Sequence, residues 1–397
     1  MSNSYNTPLL IVGAGAAGLF AASLVAEAGE RALLVERRHR PGLKLLMCGN
    51  NRCNFGHLGT PQELLRAYGE PVSSFLSEAI RRFPSTEMGR WLEARGVPVK
   101  RSGERLYPAR EKGEELLHLF TDILRENQLP VLYQCPVQKV LPLGEGGFQV
   151  ETPVVILTCQ KLILAVGGCS YPQTGSMGDG LLFAQDLGLA TAAPRAGLVG
   201  LQLSPRDPLG DTGREEIELP EVVASAPGVA PTPGNLVIQQ GLLRGSSVYD
   251  LTRRLARAGL PLSGITLDLL PGRSLEEARK REEMLRARHG NRQDMILNGM
   301  GLPYPLAQAL ATRREPVTAR LLKEYPLKNC TARPLREAIV TVGGIALEEF
   351  NPKTMECRKY PGLFAAGECL DIDGPTGGYN LAAAFATARL AVQNALA

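Results

Sequence analysis

Leu9-Leu10-Ile11-Val12-Gly13-Ala14-Gly15-Ala16-Ala17-Gly18 decides the fold. The apolar run reads as a strand buried on both faces, the habit of a parallel sheet. Three glycines at G-x-G-x-x-G spacing allow a tight turn, close approach of backbone to a diphosphate, and packing of the following helix on the strand. Ala16 and Ala17 open that helix, whose first-turn N–H groups and dipole favour an anion. A second apolar run, Ala32-Leu33-Leu34-Val35, ends at Glu36, about twenty residues past the turn, where a carboxylate can hold a ribose. Arg37 beside it is a further candidate contact. Strand, glycines, helix, strand and acid in that order predict a Rossmann-type α/β domain holding a dinucleotide.

The C-terminal stretch completes the site. Gly367-Glu368, Asp371 and Gly377-Gly378-Tyr379-Asn380-Leu381 lead into an Ala-rich helical pattern over 381–396. This second helix start can face the pyrimidine end of a flavin, where negative charge develops on reduction, so the expected dinucleotide is FAD. Between the two ends, Lys161–Val166 reads as another buried strand of the same sheet, closed by Gly167-Gly168. Ala165, Gly167, Gly168 and Val137 join the candidate cofactor-binding set.

Cys48-Gly49-Asn50-Asn51-Arg52-Cys53 has the C-x4-C spacing of the redox disulfide in glutathione-reductase-like flavoproteins. Those proteins carry a second GxGxxG domain, and this chain shows none. Structural cysteines, or one thiol near the flavin, are the expectation. Lys44, Asn50, Arg52, Cys53 and Asn54 are candidate contacts to phosphate or flavin. Tyr379, Tyr171 and Arg105 are the candidates for proton donation or carbonyl polarisation.

A chain of 397 residues has room for two or three domains. We expect an N-terminal FAD part over 1–194, a β-rich insert over 195–270, a helical cap over 271–335, and a C-terminal FAD part over 336–397. Around Glu63–Tyr68, Ser73–Arg82, Glu87–Arg95 and Gly113–Asn127 the pattern is helical. Val131–Pro142 and Phe148–Cys159 alternate as a β-meander. The charged stretch Leu275–Asn298 reads as one helix. Its Arg279, Lys280, Arg281, Arg286, Arg288 and Arg292 interleave with Glu276, Glu277, Glu282 and Glu283, so intrahelical pairing is expected, with contact to RNA phosphates as the alternative.

The net charge of +4 is small for this length. No apolar run is long enough to cross a bilayer, and a cytoplasmic location with reduced cysteines is expected. The four histidines are scattered without zinc-ligand spacing, so no metal is expected.

These motifs resemble the BaiN/YhiN-like flavoproteins, also described as the aminoacetone-oxidase family of NAD(P)/FAD-dependent oxidoreductases. The likeness rests on the opening glycine turn, Arg52-Cys53-Asn54, Arg105-Leu106-Tyr107-Pro108, Ala165 to Gly168 with Ser170 to Gly175 and Gly178-Asp179-Gly180, Val342-Gly343-Gly344, Thr354-Met355-Glu356, and Gly367 to Leu381. It implies a Rossmann-type FAD domain interrupted by a β-barrel-like insert and a small helical domain. It also implies non-covalent FAD, NAD(P)H as a transient reductant, and reduction of an activated C=C bond of a small conjugated acceptor. Formation of dihydrouridine in ribosomal RNA and oxidation of small amines are the alternatives it carries. The chain departs from the family pattern at Cys48-Gly49-Asn50-Asn51, and at Gln239 to Ser246, where the insert usually carries a Thr-His and Ser-Gly-Pro signature.

Overall fold

The structure, a computed structural model, describes residues 4–205, 207–210 and 215–397. The chain divides into two compact units, one formed by residues 1–195 with 340–397 and the other by residues 196–339.

The first unit contains strands β1 (Ser4–Val12), β2 (Ala32–Val35), β3 (Gly56–His57), β4 (Val99–Ser102), β5 (Arg105–Pro108), β6 (Val131–Leu132), β7 (Lys139–Pro142), β8 (Phe148–Glu151) and β9 (Ile156–Leu164). Its helices are α1 (Ala16–Glu27), α2 (Leu43–Met47), α3 (Pro61–Tyr68), α4 (Val72–Arg82), α5 (Ser85–Glu93), α6 (Gly113–Glu126) and α7 (Asp179–Asp186). The main sheet runs β6-β2-β1-β9-β8-β7. β1 is parallel to both neighbours, with Val12 opposite Val35 and Leu164. All three strands therefore end together, before Gly13, Glu36 and Ala165, at the edge where open α/β sheets bind ligands.

Two expectations about strands are corrected. Val131–Pro142 is not one arm of a meander: β6 is two residues long and pairs in parallel with β2, because Pro136 separates it from β7 and removes a ladder donor. Likewise β9 is one nine-residue strand rather than two. One edge pairs with β1. The other takes β8 antiparallel up to Cys159 and then β19 (Leu363–Ala365) in parallel at Leu162–Leu164.

The second unit follows β10 (Thr191–Gly197), which pairs with β18 (Val340–Ile345), so the chain leaves and returns along neighbouring strands. It holds β11 (Leu201–Gln202), β12 (Ile217–Ser225), β13 (Thr232–Gln239), β14 (Leu242–Arg244), β15 (Thr266–Asp268), β16 (Tyr325–Pro326) and β17 (Thr331–Ala332) in one antiparallel sheet. Its helices are α8 (Ser246–Ala258), α9 (Leu275–His289), α10 (Gln293–Gly299), α11 (Tyr304–Ala311) and α12 (Ala319–Lys323). Leu236 and Leu243 from strands share one core with Leu251, Leu285, Leu306 and Leu322 from helices. The expected helix over Leu275–Asn298 breaks at Gly290, whose φ of +61° is left-handed.

The chain ends in α13 (Tyr379–Ala395), which lies on α1. Gly367 sits where they meet: a Cβ there would stand 3.1 Å from the Ala17 Cβ and 3.6 Å from that of Ala384. The alanines of both helices permit this close approach, which ties the N-terminal glycine turn to the C-terminal motif.

Candidate cofactor and active site

The three glycines of the first turn serve three different physical needs. Gly13 has φ +98°, and a Cβ there would lie 2.6 Å from the Ala165 carbonyl oxygen. At Gly18 a Cβ would lie 1.8 Å from the Gly13 carbonyl oxygen, so helix and turn could not pack. Nothing lies within 4 Å of the Cβ position of Gly15. Gly15 is also the N-cap of α1, and no side chain caps it. The amides of Ala16 and Ala17 thus open a helix start with clear space in front, the shape a diphosphate needs.

Glu36 is buried at the end of β2. Its two carboxylate oxygens accept from the Ala14 and Arg38 amides, both at 2.8 Å. Burial raises its pKa above the ordinary value, and the two backbone bonds and nearby Arg37 and Arg38 oppose the shift. Each oxygen keeps a lone pair for a ribose hydroxyl. Cys135 N–H donates to the Glu36 carbonyl and Gln134 N–H to that of Arg38, which brings the segment before Val137 alongside the same corner.

At the other helix start, Gly377 and Gly378 have φ +107° and +97°, and Gly378 is the uncapped N-cap of α13. A Cβ on Gly378 would stand 2.5 Å from the Gly56 carbonyl and 2.6 Å from Asn54 Oδ1, so α13 begins hard against β3. Asn54 Oδ1 is buried and has no partner among the described residues. The Asn380 side chain closes the loop, accepting from Gly374 N–H at 2.8 Å and donating to the Gly374 and Pro375 carbonyls. Asp371 N–H donates to Ile345, and Leu381 packs against the core.

Tyr379 stacks on His57 with centroids 4.7 Å apart and is met edge-on by Tyr68. The Tyr68 hydroxyl donates to the Tyr379 carbonyl at 2.8 Å. β3 pairs with β5 so that His57 lies opposite Arg105. A Cβ on Gly377 would be 3.4 Å from His57 Nδ1 and 3.8 Å from Arg105 Nε. Tyr379 and Arg105 therefore share one corner. The segment after Tyr171 lies by the end of β2, where Arg38 donates to the Pro172 carbonyl at 2.8 Å. His57 carried no sequence signal, since a two-residue strand has no periodicity, and the need of Arg105–Pro108 for a partner strand was the available clue; Tyr68 fell in an expected helix with nothing to mark it as part of the site.

Several candidate contacts are occupied by protein partners. Lys44 donates to Ser170 Oγ at 2.7 Å and pairs with Glu368 Oε2 at 2.5 Å, while Glu368 Oε1 accepts from Thr341 N–H. Arg37 pairs with Asp179. Arg52 pairs with Glu111 and lies over the Tyr107 ring. Gly167 and Gly168 are glycines because Ser176 Oγ and Thr341 Oγ1 stand 2.9 and 2.4 Å from their Cβ positions. Gly49, Asn50 and Asn51 form a left-handed turn with φ between +54° and +67°, the conformation Gly and Asn tolerate best. Cys48 and Cys53 are both free thiols; burial pushes Cys48 up to about 11 and Cys53 well above the ordinary value.

Two uncapped helix starts, a buried carboxylate at the ribose position and open space at Gly15 fit FAD. The chain matches the model described as "HI0933-like protein Rossmann domain" over residues 7–394. It is 28% identical to the ribosomal RNA dihydrouridine synthase of Escherichia coli, with 98% of each chain covered. To the 3-dehydro-bile acid delta(4,6)-reductase of Clostridium scindens it is 24% identical, covering 96% of this chain and 97% of the relative. The 3-ketosteroid-delta4-(5alpha)-dehydrogenase of Rhodococcus jostii shares the fold, with a TM-score of 0.55, 17% identity, and 99% of this chain and 97% of that one covered. With a family match across almost its whole length on a site shaped for the cofactor, the chain belongs to the HI0933-like family of Rossmann-type, FAD-dependent oxidoreductases.

Proposed function

We propose that this chain uses NAD(P)H to reduce an activated C=C bond, and that the bond is the 5,6 double bond of a uridine in ribosomal RNA. FAD held here would supply the hydride chemistry, with NAD(P)H as its reductant. The α1 amides and Glu36 hold the diphosphate and ribose. The start of α13 and the Tyr379, His57 and Arg105 corner accommodate the isoalloxazine and the acceptor. There Arg105, a fixed cation, polarises the carbonyl conjugated to the double bond, as C4=O is in uracil. Nicotinamide would bind transiently and leave before the acceptor enters, since the described residues form one dinucleotide fold and no second.

The observation that carries the reading is the cluster of donors at the uncapped α13 start. The RNA assignment is supported by the name of the Escherichia coli relative and by charge. Residues 196–339 hold 20 Lys or Arg against 16 Asp or Glu, while the rest of the chain balances at 24 each, so the whole surplus lies in the insert. On α9 the expected pairing holds at Lys280–Glu276 and Arg286–Glu282. A small conjugated acceptor is the second reading, supported by the bile acid reductase.

Anaerobic holoenzyme reduced by NAD(P)H and mixed with uridine-containing rRNA fragments tests this. Flavin reoxidation with formation of dihydrouridine is expected. Reoxidation by a conjugated enone alone shifts the assignment to the small acceptor. Turnover only with an amine and O2 overturns both in favour of an oxidase.

A further inference from the structure

We propose that His57 is the proton donor of this site, loading a proton when the cofactor is reduced and delivering it to the acceptor. The inference rests on the reductase reading and deepens it. Saturating a C=C bond adds a hydrogen to each carbon: one arrives as hydride from the reduced cofactor, the other as a proton from an acid.

The geometry selects the acid. His57 Nδ1 lies 3.1 Å from the Gly377 carbonyl oxygen. A carbonyl only accepts, so Nδ1 carries the hydrogen in this contact and Nε2 is the position that gains or loses a proton. Nε2 has no hydrogen-bond partner among the described residues. The Gly377 bond therefore survives both protonation states, and the ring keeps its place while its charge changes. Stacking on Tyr379 at an interplanar angle of 26° fixes the plane. The His57 backbone N–H donates to Ser85 Oγ at 3.3 Å, and the strand pair with β5 fixes its height.

The groups beside it are Arg105 on β5 and Tyr379 on α13, whose ring Tyr68 on α3 meets edge-on. Arg105 is a permanent cation within 4 Å of the same Gly377 Cβ position. A flavin held at the α13 start would gain negative charge on reduction, and His57 Nε2 is the position that would hold the balancing proton. In the second half of the cycle the Nε2–H bond breaks, its electron pair stays on nitrogen, and the proton goes to the acceptor carbon that did not receive hydride. Cys48 and Cys53 are the weaker acids, since burial raises both thiols above their ordinary value.

The test uses holoenzyme of the wild type, His57→Gln and His57→Phe. Gln can still donate to Gly377 and Phe can still stack, but neither carries a proton. Proton uptake on photoreduction in weak buffer is read first and needs no acceptor. Wild type should take up more than either variant, with a difference on the order of one proton per flavin. FAD content and the visible spectrum should be retained. Reoxidation by the acceptor should slow about a hundredfold, and by far more than reduction by NAD(P)H does. Equal proton uptake in all three proteins, loss of FAD from both variants, or unslowed reoxidation overturns the role of His57. If wild type takes up the extra proton but reduces no alkene, the reductase reading fails instead.

Discussion

Single residues in the glycine turn make separable demands, and substitution should separate them. Gly15 has an extended backbone and empty space at its Cβ position, so Gly15→Val should fold with little change in Tm yet lose FAD, read from visible absorbance. Gly18→Ala should instead fail to fold or lose several degrees, because its Cβ would fall 1.8 Å from a backbone oxygen. Glu36→Gln leaves one of two buried amides without its carboxylate and should weaken FAD binding by about tenfold to a hundredfold, measured by fluorescence titration. The sign of its pH dependence follows from burial. A raised folded pKa means that the empty site favours protonated Glu36 at low pH and loses that stability as pH rises through the folded value. Ribose hydroxyls donate to the ionised form, so FAD affinity should rise with pH across the carboxylate range, and the rise should vanish in Glu36→Gln. Cys48 and Cys53 should resist alkylation at neutral pH, because both thiols titrate far above it, and the double Ser variant should keep flavin turnover. The glycines and Glu36 were legible because covalent geometry restricts those positions to few residue types. Lys44 and Glu368 read as cofactor ligands individually; that they satisfy each other depends on a contact across the fold that spacing does not encode.

Elements were legible where length and period agreed. The start of the first helix, the second strand and the last helix fell within a residue or two of expectation, since a buried parallel strand and an Ala-rich helix have few alternatives. β6 and β9 were misread because an isolated apolar pair and a nine-residue run carry no label for which neighbour they join; hydrogen bonds to β2 and β1 decided both. α13 depends on the loop before it. Asn380→Ala removes three hydrogen bonds that close this loop and should cost about 1–3 kcal/mol, read as a lower Tm. It should also weaken FAD binding, whereas Asn394→Ala near the end of the same helix should not.

The whole molecule is a nucleotide-binding sheet interrupted once. Residues 196–339 have their own core, so that fragment should express and melt cooperatively without FAD, while residues 1–195 rejoined to 340–397 should retain the cofactor. A featureless melt for the isolated insert would mean that its core needs the rest of the chain. RNA affinity, measured by filter binding, should fall steeply with salt and reside in the insert, because the net positive charge lies there. The change of texture near residue 195 was visible in the sequence as Pro and Gly punctuation, but the merging of strands and helices into one unit was not, since it depends on side chains far apart in the chain. The crossing itself has an evolutionary meaning. Ile339 N–H donates to the Leu198 carbonyl at 3.3 Å, so the two ends of the insert touch each other. A segment that enters and leaves through one doorway can be exchanged by recombination as a cassette, leaving the redox machinery untouched. That offers a route by which one ancestral scaffold could come to serve ribosomal RNA in one lineage and bile acids in another.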